Sequence, residues 1–173
     1  MTSDQRQLLR HFIAALAYRT QKALRDAPAE FGDFHAGSDV RSPKELVRHM
    51  TSVLGYARTL FVGGKYWPES LPSLDDEVSR FHEMLESLAS HVVADDPLSD
   101  ETTAETLLQG PLSDAMTHAG QLAMLRRLAG NPVPPENFVV ADIDARRLGV
   151  DQALPVSPDK EWPEAPADWS PQK

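Results

Sequence analysis

The chain has 173 residues, 41% of them hydrophobic, enough for one substantial core but not for two domains of ordinary size. Its 17 basic and 26 acidic residues leave a net charge of −9, which works against phosphate backbones and anionic membrane surfaces, so neither nucleic acid nor membrane is expected as a partner. With no cysteine, disulfides, thiolate nucleophiles and zinc-thiolate sites are excluded, and any metal must be held by nitrogen and oxygen.

In chain order, residues 4–27 read as one long helix. Leu9, Ile13, Leu16, Thr20 and Leu24 recur at helical spacing, Thr2 or Ser3 can cap the first turn, and Pro28 closes it. Residues 29–41 hold no sustained period and read as a loop crossing one end of the fold. Ser42-Pro43-Lys44-Glu45 carries an N-cap, a proline at the first helical position and a capping-box glutamate, so a second helix starts there and runs to about Phe61. Gly63-Gly64 stops it, and Tyr66-Trp67 in the following loop are expected to close over one end of the core. Ser73 and Asp76 open a third helix, whose apolar positions Val78, Phe81, Leu85, Leu88 and Val92 carry it to about Val93. A short helical piece begins at Thr102 or Thr103. Gln109-Gly110-Pro111 interrupts it, and the fourth long helix covers residues 112–130, with Gly130 as its left-handed stop.

After Asn131 the composition changes, with eight of the fourteen prolines in the last 43 residues. Composition alone reads this segment as disordered. Its candidate anchors are Phe138, Val139, Ile143, Leu148, Trp162 and Trp169, on the helices or on a partner subunit. The expected organisation is therefore all-α: an up-down four-helix bundle over residues 1–130 and an irregular Pro-rich extension over 131–173, with Phe138-Val139-Val140 the only stretch that passes as a strand. No apolar run reaches the roughly 20 residues of a bilayer span, and Met-Thr-Ser-Asp-Gln-Arg at the start is not built like a signal peptide, so a cytoplasmic location is expected.

Chemistry concentrates on the fourth helix. Asp114, His118 and Gln121 lie nearly one above another beside the apolar stripe of Leu112, Ala115, Ala119 and Leu122. An Asp and a His four apart leave the same face one turn apart, which suits two metal ligands and equally suits a simple Asp–His hydrogen bond at a helix margin. His49 sits on a core-facing flank of helix two. Two His and one carboxylate from facing helices would leave coordination positions open, an arrangement used for Zn, Ni or Fe. His82, near the inner side of helix three, is either a neighbour supporting the ligands or a satisfied core histidine, and Gln121 or Tyr56 could orient a substrate. No nucleophile elbow surrounds any Ser, and Gly63-Gly64-Lys65 lacks the spacing of a phosphate-binding loop.

Three features in this order and at this distance resemble the DinB-like superfamily of metal-binding four-helix bundles: the long first helix, Leu46-Val47-Arg48-His49-Met50 on helix two, and Thr117-His118-Ala119-Gly120-Gln121-Leu122 on helix four. The resemblance covers roughly residues 1–130, and Asn137-Phe138 to Ala141-Asp142-Ile143 is similar to the continuation in one uncharacterised branch. It implies a divalent metal held by one His on helix two and two His four apart on helix four, and a homodimer. Relatives include thiol-dependent S-transferases and mycothiol-dependent maleylpyruvate isomerases, so a transferase or isomerase acting on a small molecule with a low-molecular-weight thiol is the implied activity. His49 and His118 match two of the ligand positions; the remaining one is Asp114 rather than His, giving either a His/Asp/His site of altered preference or one that has lost its metal. The competing reading is a non-catalytic dimeric helical bundle, ligand-binding or structural.

Overall fold

The computed structural model describes residues 1–99, 101–156, 162 and 165. The fold is all-α, and no β-strand forms among the described residues. Four long helices, α1 (Ser3–Leu24), α2 (Pro43–Val62), α3 (Leu74–Ala94) and α5 (Ser113–Leu128), pack around one core, with a single short turn α4 (Ala104–Leu107) leading into the last of them.

Each start follows from its cap. Thr2, Ser42 and Ser73 accept the N–H of Gln5, Glu45 and Asp76, whose side chains reach back to the cap backbone. α1 ends three residues earlier than its apolar period suggests, because Asp26 adopts φ 54° and Pro28 disfavours a helical Ala27. α5 ends as its sequence indicates: Gly130 takes φ 76°, and the Asn131 and Gly130 amides return to the carbonyls of Arg126 and Arg127.

Side chains at the two ends of the fold fix the helix directions. At one end Arg126, late in α5, donates to the carbonyls of Ala23 and Arg25 at the end of α1, so α1 and α5 run parallel. Gly32, just past α1, lies so close to Leu74 that an added Cβ would stand 2.9 Å from the leucine Cβ, which puts the start of α3 at this same end. At the other end Arg6 pairs with Asp95, Ser99 N–H reaches the Leu60 carbonyl, and Phe61 stacks on His91 with centroids 5.7 Å apart. α2 and α3 therefore run parallel to each other and against α1 and α5. α1 packs on α3 and α5, and α2 packs on the same two helices, so α1 and α2 occupy opposite corners.

This order corrects the simple up-down alternation anticipated from the sequence. The cause is the connection between α2 and α3: Gly63 to Ser73, eleven residues, must return along the length of α2. That length is about 30 Å for a 20-residue helix, and eleven residues reach at most about 40 Å, so the connection is an extended strap. Tyr66 accordingly lies against the middle of α2 at Gly55, and Trp67 is 81% exposed, so the two rings line the side of the fold and do not close over its end. Buried Glu77 fastens the far end of the strap by accepting Leu71 N–H at 2.8 Å while pairing with Arg80.

The core is aliphatic and deep: Leu9, Ile13 and Leu16 meet Met50, Leu54, Phe81, Leu85, Leu88 and Leu122, all essentially without exposed surface. Each such side chain contributes about 1.5–3 kcal/mol of burial. The segment after Asn131 lies along α1 and α3. Tyr18 hydrogen-bonds Glu136 at 2.5 Å, Arg25 donates to the carbonyls of Gln152 and Ala153, and His82 Nδ1 lies 2.6 Å from the Leu148 carbonyl. Leu148, Trp162 and Ile143 anchor it, whereas Val139 is 91% exposed and anchors nothing. Phe138 sits under the Arg19 guanidinium at 3.8 Å, and Phe138–Val140 forms a tight helical turn where the sequence suggested a strand. Trp169 falls outside the described residues. No described helix is long and apolar enough to cross a membrane.

Candidate metal centre

The candidate ligands read from the sequence meet between α2 and α5, away from the contacts that residues 134–153 make with α1 and α3. The Ser42 cap sets the phase of α2 so that Leu46, Met50 and Leu54 enter the core and His49 falls on the flank facing α5. The phase of α5 is set by the wide turn Leu108–Leu112. Gly110 leaves helical geometry at ψ −105°, Pro111 has no N–H to give, and the Ser113 backbone N–H and Oγ both donate to the Leu108 carbonyl, Oγ at 2.7 Å. From this turn α5 starts with Ser113, Asp114 and Thr117 toward a cleft and Ala115 and Leu122 toward the core.

His118 Nε2 lies 3.3 Å from Asp114 Oδ1, and the His49 and His118 rings meet edge to face with centroids 4.7 Å apart. One ligand atom from each of His49, Asp114 and His118 lies within 4.8 Å of the others, so this group could hold a metal ion. Their accessibility is graded: the Asp114 side chain is half exposed, His49 is half-buried and His118 is buried.

Gln121 gives the group its polarity. Its Oε1 stands 2.7 Å from His118 Nδ1, so Nδ1 donates to it and Nε2 is the ring nitrogen turned toward Asp114. Nε2 and the Asp114 oxygen, 3.3 Å apart, are two donor atoms that one cation between them could share. Burial, followed by the nearby positive charge of Arg41 and by His118, pushes the His49 pKa below its ordinary value against the opposing pull of Asp114. A neutral imidazole with a free lone pair is the form a metal requires.

On one tetrahedral ion, ligand atoms at about 2.0–2.2 Å stand roughly 3.3–3.5 Å apart. The Asp114–His118 pair already has that separation, and the rest of the group closes by at most about 1.5 Å. Small side-chain rotations of half-exposed Asp114 and half-buried His49 cover that distance. The donor set therefore fits a nitrogen- and oxygen-liganded divalent ion beside the cleft that Asp114 lines.

That cleft measures about 890 Å³ and runs between α2, the strap and the wide turn, lined by Val53, Tyr56, Tyr66, Trp67, Gly110 and Asp114 among others. Tyr56 lies on the cleft and Gln121 on His118. His82 is a hydrogen-bonded core histidine, the second of its two sequence readings: its ring nitrogens lie 2.6 Å from the Leu148 carbonyl and 3.3 Å from Gln21 Oε1, away from His49, Asp114 and His118. Sequence reasoning missed Arg41, which acts on His49 through charge, and Lys65 and Trp67, which line the cleft from the strap. The signal for the strap was Gly55, a glycine in the interior of a well-capped helix, which marks a close approach by something else.

No family model, no curated protein and no solved structure matches this chain.

Proposed function

We propose that the chain is a DinB-like four-helix bundle that holds one divalent metal ion at His49, Asp114 and His118 and acts, as a homodimer, as a thiol-dependent transferase or isomerase on a small molecule. The observation that carries this reading is the meeting of the three side chains from α2 and α5, with ligand atoms within 4.8 Å of one another, at the rim of an open cleft. An ion bound there supplies positive charge that lowers the pKa of a thiol or water toward neutrality. The chain's own residues do the rest. Gln121 fixes the His118 tautomer and ring plane, as a hydrogen-bond partner of a ligating histidine does. Burial and Arg41 hold the His49 pKa below its ordinary value, which favours the neutral ring that a metal needs. The substrate enters from the side of half-exposed Asp114, where Tyr56, Ser113 and Thr117 can orient it.

One observation favours a second reading, a non-catalytic dimeric bundle without a functional metal. Asp114 and Gln121 together satisfy both ring nitrogens of His118 when the ring is an imidazolium. Metal analysis of protein purified without a histidine tag separates the two, alongside His118→Ala and Asp114→Ala. The metal reading expects bound metal and a Zn- or Ni-induced thermal shift in the wild type that both variants lose. Equal, negligible metal in all three proteins selects the second reading.

A further inference from the structure

We infer that the cleft beside the metal group takes a planar aromatic molecule carrying one carboxylate, gripped by the rings of Tyr56 and Trp67 and by the ammonium of Lys65. The inference deepens the reading above, since it names the substrate class of that site, but the binding it describes needs no metal.

The wall that bears the rings is built rather than incidental. Tyr66 occupies the place of a side chain at Gly55, so that even a Cβ there would stand 2.0 Å from its ring. This contact and the Leu71–Glu77 hydrogen bond hold the strap at two points, and Lys65 and Trp67 stand on it beside the first of them. Trp67 keeps 81% and Tyr56 57% of their surface exposed, and both line the same cleft, one from the strap and the other from α2. Two large rings left in water in one cleft are unpartnered stacking surfaces, and a cleft of about 890 Å³ accommodates a bicyclic ring.

The charges then choose the ligand. Lys65 and Asp114 are the two charged residues among those lining the cleft. Asp114 faces His118, whereas Lys65 makes no hydrogen bond or ion pair among the described residues. In a chain of net charge −9, an ammonium with no acidic partner in a cleft is the feature that attracts an anion there. The side chains left over, Ser52, Thr59, Ser113, Thr117 and Gln109, are neutral donors and acceptors that suit hydroxyl or carbonyl substituents on the ring.

The test is calorimetric titration of the full chain, with EDTA present, against three probes of one shape: 2-naphthoate, 2-naphthylmethanol and 2-naphthylmethyl-trimethylammonium. Naphthoate should bind saturably and about tenfold more tightly than the alcohol, and Lys65→Met should remove that preference while leaving the alcohol unchanged. Trp67→Ala should weaken naphthoate and alcohol alike by roughly threefold to tenfold. Both positions stand on the strap outside the core, and circular dichroism verifies that the variants fold. Absence of saturable naphthoate binding, an unchanged preference in Lys65→Met, or tighter binding of the trimethylammonium probe overturns the inference. Naphthoate binding that persists in His118→Ala supports it, whatever the metal content of that variant, so the two readings fail separately.

Discussion

Replacing Gly55 by alanine tests whether the strap is folded back on α2. In a helix interior the substitution ordinarily stabilises by about 0.5–1 kcal/mol, because alanine loses less backbone entropy. Here the new Cβ would lie 2.0, 2.5 and 2.6 Å from Cδ1, Cγ and Cε1 of Tyr66. Ordinary contact begins near 3.4 Å, so the ring must retreat by well over an ångström and pull the strap from α2. Overpacking of this kind costs about 1–3 kcal/mol, which outweighs the propensity gain. Gly55→Ala is therefore expected to destabilise by up to about 2 kcal/mol in urea unfolding. In a Tyr66→Ala background the same change should stabilise by about 0.5–1 kcal/mol, giving a coupling of about 1–3 kcal/mol in the double-mutant cycle. Stabilisation by Gly55→Ala in both backgrounds would refute the placement of the strap, and with it the cleft wall.

Arg126 is 3% exposed and donates to the carbonyls of Ala23, Arg25 and Asn131, joining the ends of α1 and α5, so Arg126→Ala should cost about 2–4 kcal/mol and lower the Tm by roughly 5–15 °C. Arg126→Lys should recover less than half of that by differential scanning calorimetry, because an ammonium cannot reproduce the guanidinium fork. Burial lowers the pKa of His82 and, with Arg41, that of His49 below the ordinary 6.5. Between the folded and unfolded values the unfolded chain binds more protons, so stability is full above pH 6.5 and falls as pH drops through the folded values, by at most about 1.4 kcal/mol per pH unit for each histidine. Urea unfolding from pH 7 to pH 5 should show this decline, and His82→Gln should flatten it; an unchanged slope contradicts the assignment to His82.

What was legible in the sequence is what local chemistry decides. Ser42 and Glu45 announce a helix start whatever surrounds them, and Gly130 after Arg126-Arg127 announces a stop. Asp114, His118 and Gln121 could be grouped because helical spacing alone puts them on one face. The direction of α3 could not be read that way. Gly63 to Ser73 contains enough residues either to turn at the end of α2 or to return along it, and the choice rests on Tyr66 fitting Gly55 and Leu71 fitting Glu77, contacts between distant parts of the chain. The same holds for His49 against His118, which is a consequence of α2 packing on α5. The two readings of His82 stayed open for a related reason: its partner, the Leu148 carbonyl, comes from a Pro-rich segment whose composition gives no sign of where it lies.

The most direct test of the metal centre is the divalent-metal content, by mass spectrometry, of untagged wild-type protein against His49→Ala, Asp114→Ala and His118→Ala. His49 is the informative position, because it comes from a different helix and takes no part in the Asp114–His118–Gln121 hydrogen bonds. About one ion per chain in the wild type, and less than a tenth of that in His49→Ala and His118→Ala, is the result expected of three ligands sharing one ion. Wild-type metal that stays the same in His49→Ala, or negligible metal in all four proteins, would contradict it.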